Sequence, residues 1–274
     1  MNTVSKLYLH TAVALFAVAT ASAQVTAVNH GDHEWSGAEW TAGVPVAGGT
    51  AFLNDNTSIN ISDGTAATAQ GIRIGNVTSS VAMLSLLEGS IVAHYIVVGN
   101  SVTSNGSYYQ DGGALTINDS QNIDFMLGSN EGASTSPCVA NATFSGGSAS
   151  LADIVFNLSP NRSLSFTVDG SRSHISAKSL VAMPQAPTCK PATLDFKFDR
   201  RGVSTLKLSS FAQIGAGDRI KLKIDGSDYM GNQDRFILIE TPSLEGEFVD
   251  IELVGFNGGA SVYAEDNNIV LVIK

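Results

Sequence analysis

The chain has 274 residues, of which 43% are hydrophobic and only 15% charged, and glycine alone contributes 27. That is too apolar for a disordered chain and too sparsely charged for a long coiled coil. Lys+Arg 15 against Asp+Glu 25 leaves a net charge of −10, which excludes the basic face that nucleic-acid phosphates require.

Residues 1–23 read as a secretory signal peptide. Lys6 supplies one positive charge, Thr11–Ala21 is an apolar stretch too short to span a bilayer, and Ala21-Ser22-Ala23 is an A-x-A cleavage site before Gln24. Loss of Lys6 with no acid takes the mature chain to −11. No later run approaches the roughly 18 apolar residues of a membrane span. The expected location is therefore secreted or cell-surface, with no membrane span in the mature chain. Two cysteines remain, Cys138 and Cys189. An even count in an oxidising compartment predicts one disulfide, closing a loop of about 50 residues and worth at most ~4 kcal/mol.

Residues 24–59 read as an N-terminal cap built around Trp35 and Trp40. A degenerate repeat follows. An apolar-rich triplet ending in glycine recurs at Ile72–Gly75, Ile96–Gly99 and Phe125–Gly128. Each is followed by a second glycine, at Gly89, at Gly112-Gly113 and at Gly146-Gly147. The units are spaced by 24 and then 29 residues, the third being lengthened near Ser134–Cys138. Short apolar-rich runs complete them: Met83–Leu87, Ala114–Ile117 and Leu151–Phe156, with Leu164–Val168 as a further rung. A repeat of two or three five-residue strands cannot bury its apolar side alone, but stacked coils can. Gly, Asn and Asp suit the corners, where φ turns positive. Residues 60–189 are therefore expected to form a right-handed parallel β-solenoid. The competing fold is an antiparallel sandwich, which also spaces short strands regularly.

Charge then changes abruptly. Residues 24–189 carry four bases and twelve acids, whereas 190–274 carry ten and thirteen. Three prolines in Met183–Pro191 mark the expected boundary. Beyond it, Leu194–Phe198, Leu206–Leu208 and Ile220–Ile224 alternate apolar and charged residues, and Phe236–Ile239, Phe248–Leu253 and Ile269–Ile273 are further strands. One dry and one wet face suggest an antiparallel sheet, although these strands could equally continue the solenoid. The chain is thus expected to be all-β throughout, with a C-terminal β-region over 190–274 that covers the open end of the coil.

The segment His33–Pro45, with its W…W…G-x-P pattern, resembles the opening of autotransporter-like, strand-repeat passenger proteins of exported bacterial type. Their I-x-I-G and G-G-x-L rungs are matched here too. Leu194–Leu208, Phe236–Phe248 and Ala264–Leu271 look like the closing region of such passengers. Members often end in a PEP-CTERM-type sorting tail or a membrane barrel; neither pattern occurs in residues 190–274, so neither anchoring route is expected. The resemblance implies an exported β-solenoid with a surface, matrix or adhesive role, and no substrate.

Catalytic signatures are missing. There is no G-x-S-x-G elbow, and Glu88, Asp111, Asp124 and Asp153, the acids that would have to share a face in a polysaccharide-cleaving site, have almost no bases near them in sequence. No catalytic residue, metal ligand or cofactor is assigned. His30-Gly-Asp32-His33-Glu34 has metal-binding residue types, and Asp225–Asp234 is oxygen-rich without EF-hand spacing. They read as a solvated segment and a hairpin loop. Trp35, Trp40, Tyr95, Tyr108 and Tyr109 could stack on sugar rings. The two Trp could instead plug the coil, and one of Tyr108 and Tyr109 should face inward on a strand. Eight N-x-[ST] triplets, at Asn56, Asn60, Asn76, Asn105, Asn118, Asn141, Asn157 and Asn161, follow from a Ser/Thr/Asn-rich composition. The sequence points to an exported, non-catalytic structural or adhesive protein. Surface polysaccharide, envelope proteins or copies of itself are its expected partners, and a glycan-binding or polysaccharide-active module is the alternative.

Overall fold

A computed structural model describes residues 24–118, 124–128, 137–215, 219–256 and 258–274. The expected signal peptide, and Ser134–Ser136 of the lengthened stretch near Ser134–Cys138, lie outside the described residues. The structure is all-β, 61% strand, with stacked parallel coils forming a β-solenoid of about 8 turns. Among the described residues no helix is long and apolar enough to cross a membrane.

Three parallel ladders run along the coil. The first joins β1 (Val25–Val28), β3 (Thr50–Leu53), the C-terminal parts of β5 (Ala66–Ile74) and β7 (Ser90–Val98), and β9 (Phe125–Leu127). It continues through the ends of β10 (Cys138–Leu158), β12 (Ser173–Pro184) and β14 (Leu206–Gln213) to β17 (Leu244–Glu245). The second joins β2 (Gly31–Glu34), β4 (Thr57–Ile61), β6 (Val81–Leu86), the start of β8 (Asn105–Ile117) and the start of β10. It ends with β11 (Arg162–Asp169), β13 (Ala192–Lys197), β15 (Ile220–Asp225) and β18 (Asp250–Val254). The third uses the N-terminal parts of β5, β7, β12 and β14, the end of β8 and the middle of β10, and finishes on β16 (Arg235–Glu240). There the direction changes: β20 (Asn268–Ile273) pairs antiparallel with β16, and β19 (Ala260–Glu265) with β20.

Register explains the apolar pattern. One inward row reads Ala51, Ile72, Ile96, Phe125, Ile154, Leu180, Ala212. Another reads Leu86, Gln110, Phe144, Val168, Phe196, Ile224, Leu253. Each large member of such a row gains about 1.5–3 kcal/mol by leaving water. The one polar member, Gln110, is fully satisfied. Its Oε1 accepts from Tyr108 Oη at 3.0 Å, and its Nε2 donates to the carbonyls of Gly112 at 3.1 Å and Ser148 at 3.0 Å. The repeated triplets occupy the first ladder, and Gly75, Gly99 and Gly128 turn each coil out of it at φ of 72°, 70° and 91°, a region that disfavours a side chain.

Two expected boundaries leave the ladders uninterrupted. β1 to β4 already pair as rungs, so stacking begins within 24–59. At the other end β13, β15 and β18 extend the second ladder in parallel across residue 190. Among the described residues only the β16–β20–β19 group is antiparallel. The three prolines fall at the end of β12 and in the turn before β13, where no central strand is broken.

The expected disulfide is not formed. Cys138 is the register partner of Arg162, and the Cys189 thiol donates to the carbonyls of Ala186 at 3.2 Å and Leu158 at 3.6 Å. Burial pushes the pKa of the Arg162 guanidinium down, and Cys138 and Cys189 oppose that shift electrostatically.

Candidate functional site

Of the aromatic candidates, Trp35, Trp40 and Tyr108 are internal, whereas Tyr95 is covered on an outward face. Trp35 and Trp40 are 2% and 7% exposed, and their ring centroids are 5.1 Å apart. Trp40 Nε1 donates to the Trp35 carbonyl at 2.9 Å. They plug the N-terminal end of the coil. Tyr108 is 1% exposed, packed edge-on against Phe125 with centroids at 5.4 Å. Tyr95 lies flat over Gly71, where a Cβ would meet its ring carbons at 1.9 Å, and its outer face carries the Arg73 guanidinium at 5.8 Å. Only Tyr109 is half-exposed, with its Oη 3.1 Å from Ser145 Oγ. Burial therefore removes Trp35, Trp40, Tyr95 and Tyr108 as stacking platforms, and Tyr109 alone offers too little face for a sugar chain.

The acids do not converge either. Glu88 and Asp111 sit at the corner entering the third ladder, Asp124 and Asp153 at the corner entering the first. Asp111 Oδ1 takes Ser145 Oγ at 2.9 Å and Arg172 Nη2 at 2.7 Å, and Asp153 takes Ser179 Oγ at 2.5 Å. His33 Nε2 lies 2.7 Å from the His30 carbonyl, and Glu34 Oε1 accepts from Ser62 Oγ at 3.1 Å. Asp225 Oδ1 caps its own turn through the Ser227 N–H at 3.0 Å. Among the described residues no group of three His, Cys, Asp or Glu is placed to hold a metal ion.

What the fold does assemble is a polar groove where the second ladder turns into the third. The corner loops of two successive coils, 169–173 and 198–205, lie side by side there. Ser171, His174, Ser176, Ser204, Thr205 and Lys207 line an open groove of about 470 Å³. Next to it Arg172, Asp199, Arg200 and Arg201 surround a shallower one of about 290 Å³. Asp199 holds the two loops together. Its Oδ2 accepts from Ser171 N at 2.9 Å and Ser171 Oγ at 2.7 Å, and its Oδ1 from Arg201 N at 2.7 Å and Gly202 N at 3.0 Å. Partial burial raises its pKa, but these hydrogen bonds outweigh the burial and hold the carboxyl below its ordinary value of 3.8. Asp199→Ala should therefore cost about 2 kcal/mol at neutral pH. A group with a depressed folded-state pKa stabilises above its unfolded pKa and loses that contribution as pH falls. Chemical denaturation at pH 7 and pH 3 checks this: the gap between variant and parent should shrink at pH 3.

The groove escaped sequence inspection because its members are 28 to 36 residues apart and meet only through register: His174 precedes the Ile175↔Leu206 pair, and Ser176 pairs with Lys207. The one available signal was the exposed Arg200-Arg201 pair in an acidic chain.

The outward side of the second ladder carries a charge checkerboard. Asp195, Lys223 and Glu252 form one row, and Asp169, Lys197 and Asp225 the next. Lys221 Nζ bridges Asp250 at 3.2 Å and Glu252 at 2.6 Å. Burial pushes the Asp195 carboxyl up, while Lys223 and Lys197 pull it down. Farther toward the N-terminus the row that leads to Lys221 and Asp250 is neutral: Ser58, Met83, Ser107, Asn141, Ser165 and Thr193.

Comparison with known protein families, curated proteins and solved structures finds no match to this chain.

The geometry is thus a set of long ladder faces with two adjoining open grooves at one corner. His174 and the hydroxyls around it have no carboxylate among the groove-lining residues to orient a base. The guanidiniums and hydroxyls can attract and hydrogen-bond an anion, and the faces can offer repeated weak contacts.

Proposed function

We propose that this is an exported, non-catalytic scaffold or adhesive protein of the autotransporter-passenger kind. It would work at a cell surface or in an extracellular matrix through many weak contacts along its outer faces. The observation that carries this reading is the row structure. Thr68, Val92, Thr116, Ser150 and Ser176 succeed one another on the third ladder, as Ser107, Asn141, Ser165 and Thr193 do on the second. Rungs about 4.8 Å apart present these groups at a fixed pitch. A contact repeated along such a row gains strength from effective concentration rather than from any one bond. Export is supported by the signal-like pattern of residues 1–23.

A second reading, binding of an acidic polysaccharide, is favoured by Arg200 and Arg201 beside the hydroxyl-lined groove. One experiment addresses both. Fractionation of the native source with chemical cross-linking should recover the protein in the surface or matrix fraction, joined to neighbours. Release by salt together with an acidic polysaccharide supports the second reading. Recovery only as free monomer in the medium rejects the scaffold role.

A further inference from the structure

The second ladder stops at β18, and it stops unfinished. β18 pairs with β15 on one side, and among the described residues no strand pairs with its other edge. An unpaired edge is a template for another strand. The inward rows are open at the same place. Leu222 and Ile224 are fully buried, but their successors Ile251 and Leu253 are 42% and 36% exposed. The β19–β20 hairpin leans toward this end without closing it. A depression of about 290 Å³ remains, bounded by Leu244, Phe248, Ile251, Val262, Tyr263 and Ile269.

Charge specifies what fits. Inside the checkerboard Lys223 lies between Asp195 and Glu252, and Lys197 between Asp169 and Asp225. Asp250 and Glu252 have a basic neighbour on the β15 side only. A second copy stacked end to end, in continued register, would present β2. The rows place Asp32 in line with Asp250 and Glu34 in line with Glu252. Such a joint sets acid against acid, which opposes pairing.

We propose that the free edge of β18 is a docking site for an extended segment of another protein, with Lys or Arg at alternate positions and aliphatic residues between them, and that it is not a joint between copies. The bases complete the rows at Asp250 and Glu252, the aliphatic side chains cover Ile251 and Leu253, and the backbone adds one rung. This goes beyond the adhesive reading and stands whether or not the outer faces bind anything.

The probe is at hand in the chain itself, because β15 already makes this match from the other side. A labelled synthetic peptide with the Ile220–Asp225 sequence should bind the full-length protein saturably at low salt, read by fluorescence anisotropy. A peptide with both lysines replaced by glutamate should bind about tenfold or more weakly. The Asp250→Lys/Glu252→Lys double variant should reverse the preference and take the glutamate peptide, which also shows that it folds. Equal binding of both peptides, no binding of either, or end-to-end oligomers of the parent protein in sedimentation at pH 7 would each overturn the proposal.

Discussion

Phe144→Ala should lower the stability of the protein by about 4 kcal/mol, within the range for a buried aromatic. Phe144 is fully buried inside the coil. Its ring is stacked on Phe166 at 5.0 Å and tilted 29°, and Tyr108 and Phe125 lie at 5.4 Å and 5.8 Å. The cost of such a deletion depends on how far the surroundings collapse into the space. Here they cannot collapse far. Ladder hydrogen bonds on both sides of β10 fix its distance from β8 and β11, so the neighbouring rungs cannot close up without breaking bonds. The check is the urea midpoint followed by circular dichroism, with the slope unchanged. A loss under about 1 kcal/mol would mean that rungs slide to fill the gap.

Gly112→Ala is the second large effect, from the opposite cause. A Cβ there would stand 1.9 Å from the Leu87 carbonyl oxygen, and the preceding coil's Glu88 backbone is close behind it. This is backbone against backbone at a corner, with no flexible side chain to move aside. The coils must separate locally, and the expected loss is about 3 kcal/mol, as for overpacking in a tight core. Gly48→Ala is the control, because a Cβ at Gly48 meets nothing within 4 Å. Thermal midpoints of the two variants should differ clearly, with Gly48→Ala within a degree or two of the parent.

These two positions show which parts of the architecture the sequence revealed. The triplets ending at Gly75, Gly99 and Gly128 were legible because interior filling and corner geometry repeat together. That one of Tyr108 and Tyr109 faces inward followed from strand alternation; that it is Tyr108 came from the register. The first rungs were not legible. β1 and β2 are four residues each, and β2 (Gly31–Glu34) carries no apolar residue, so no repeat could be seen. The change at residue 190 left open whether the coil continues, for a different reason. Only the outward residues changed, from Ser and Thr to Lys and Asp, while the inward rows passed from Phe166 and Val168 to Leu194 and Phe196 without a break. Charge composition reports the wet side of a solenoid and is silent about the dry one. The site was harder still. Aromatic type does not distinguish a plug from a platform, and the Arg172–Arg200–Arg201 corner exists only once register is known.

The division between inward and outward rows has a consequence for how such a chain can change. Spacing is set by the ladders and by what fills the axis, so residues that point to water are free to be rewritten one row at a time. With about 8 turns at a rise of ~4.8 Å each, the molecule is a short ruled surface. Its inscription can drift while the ruling stays put.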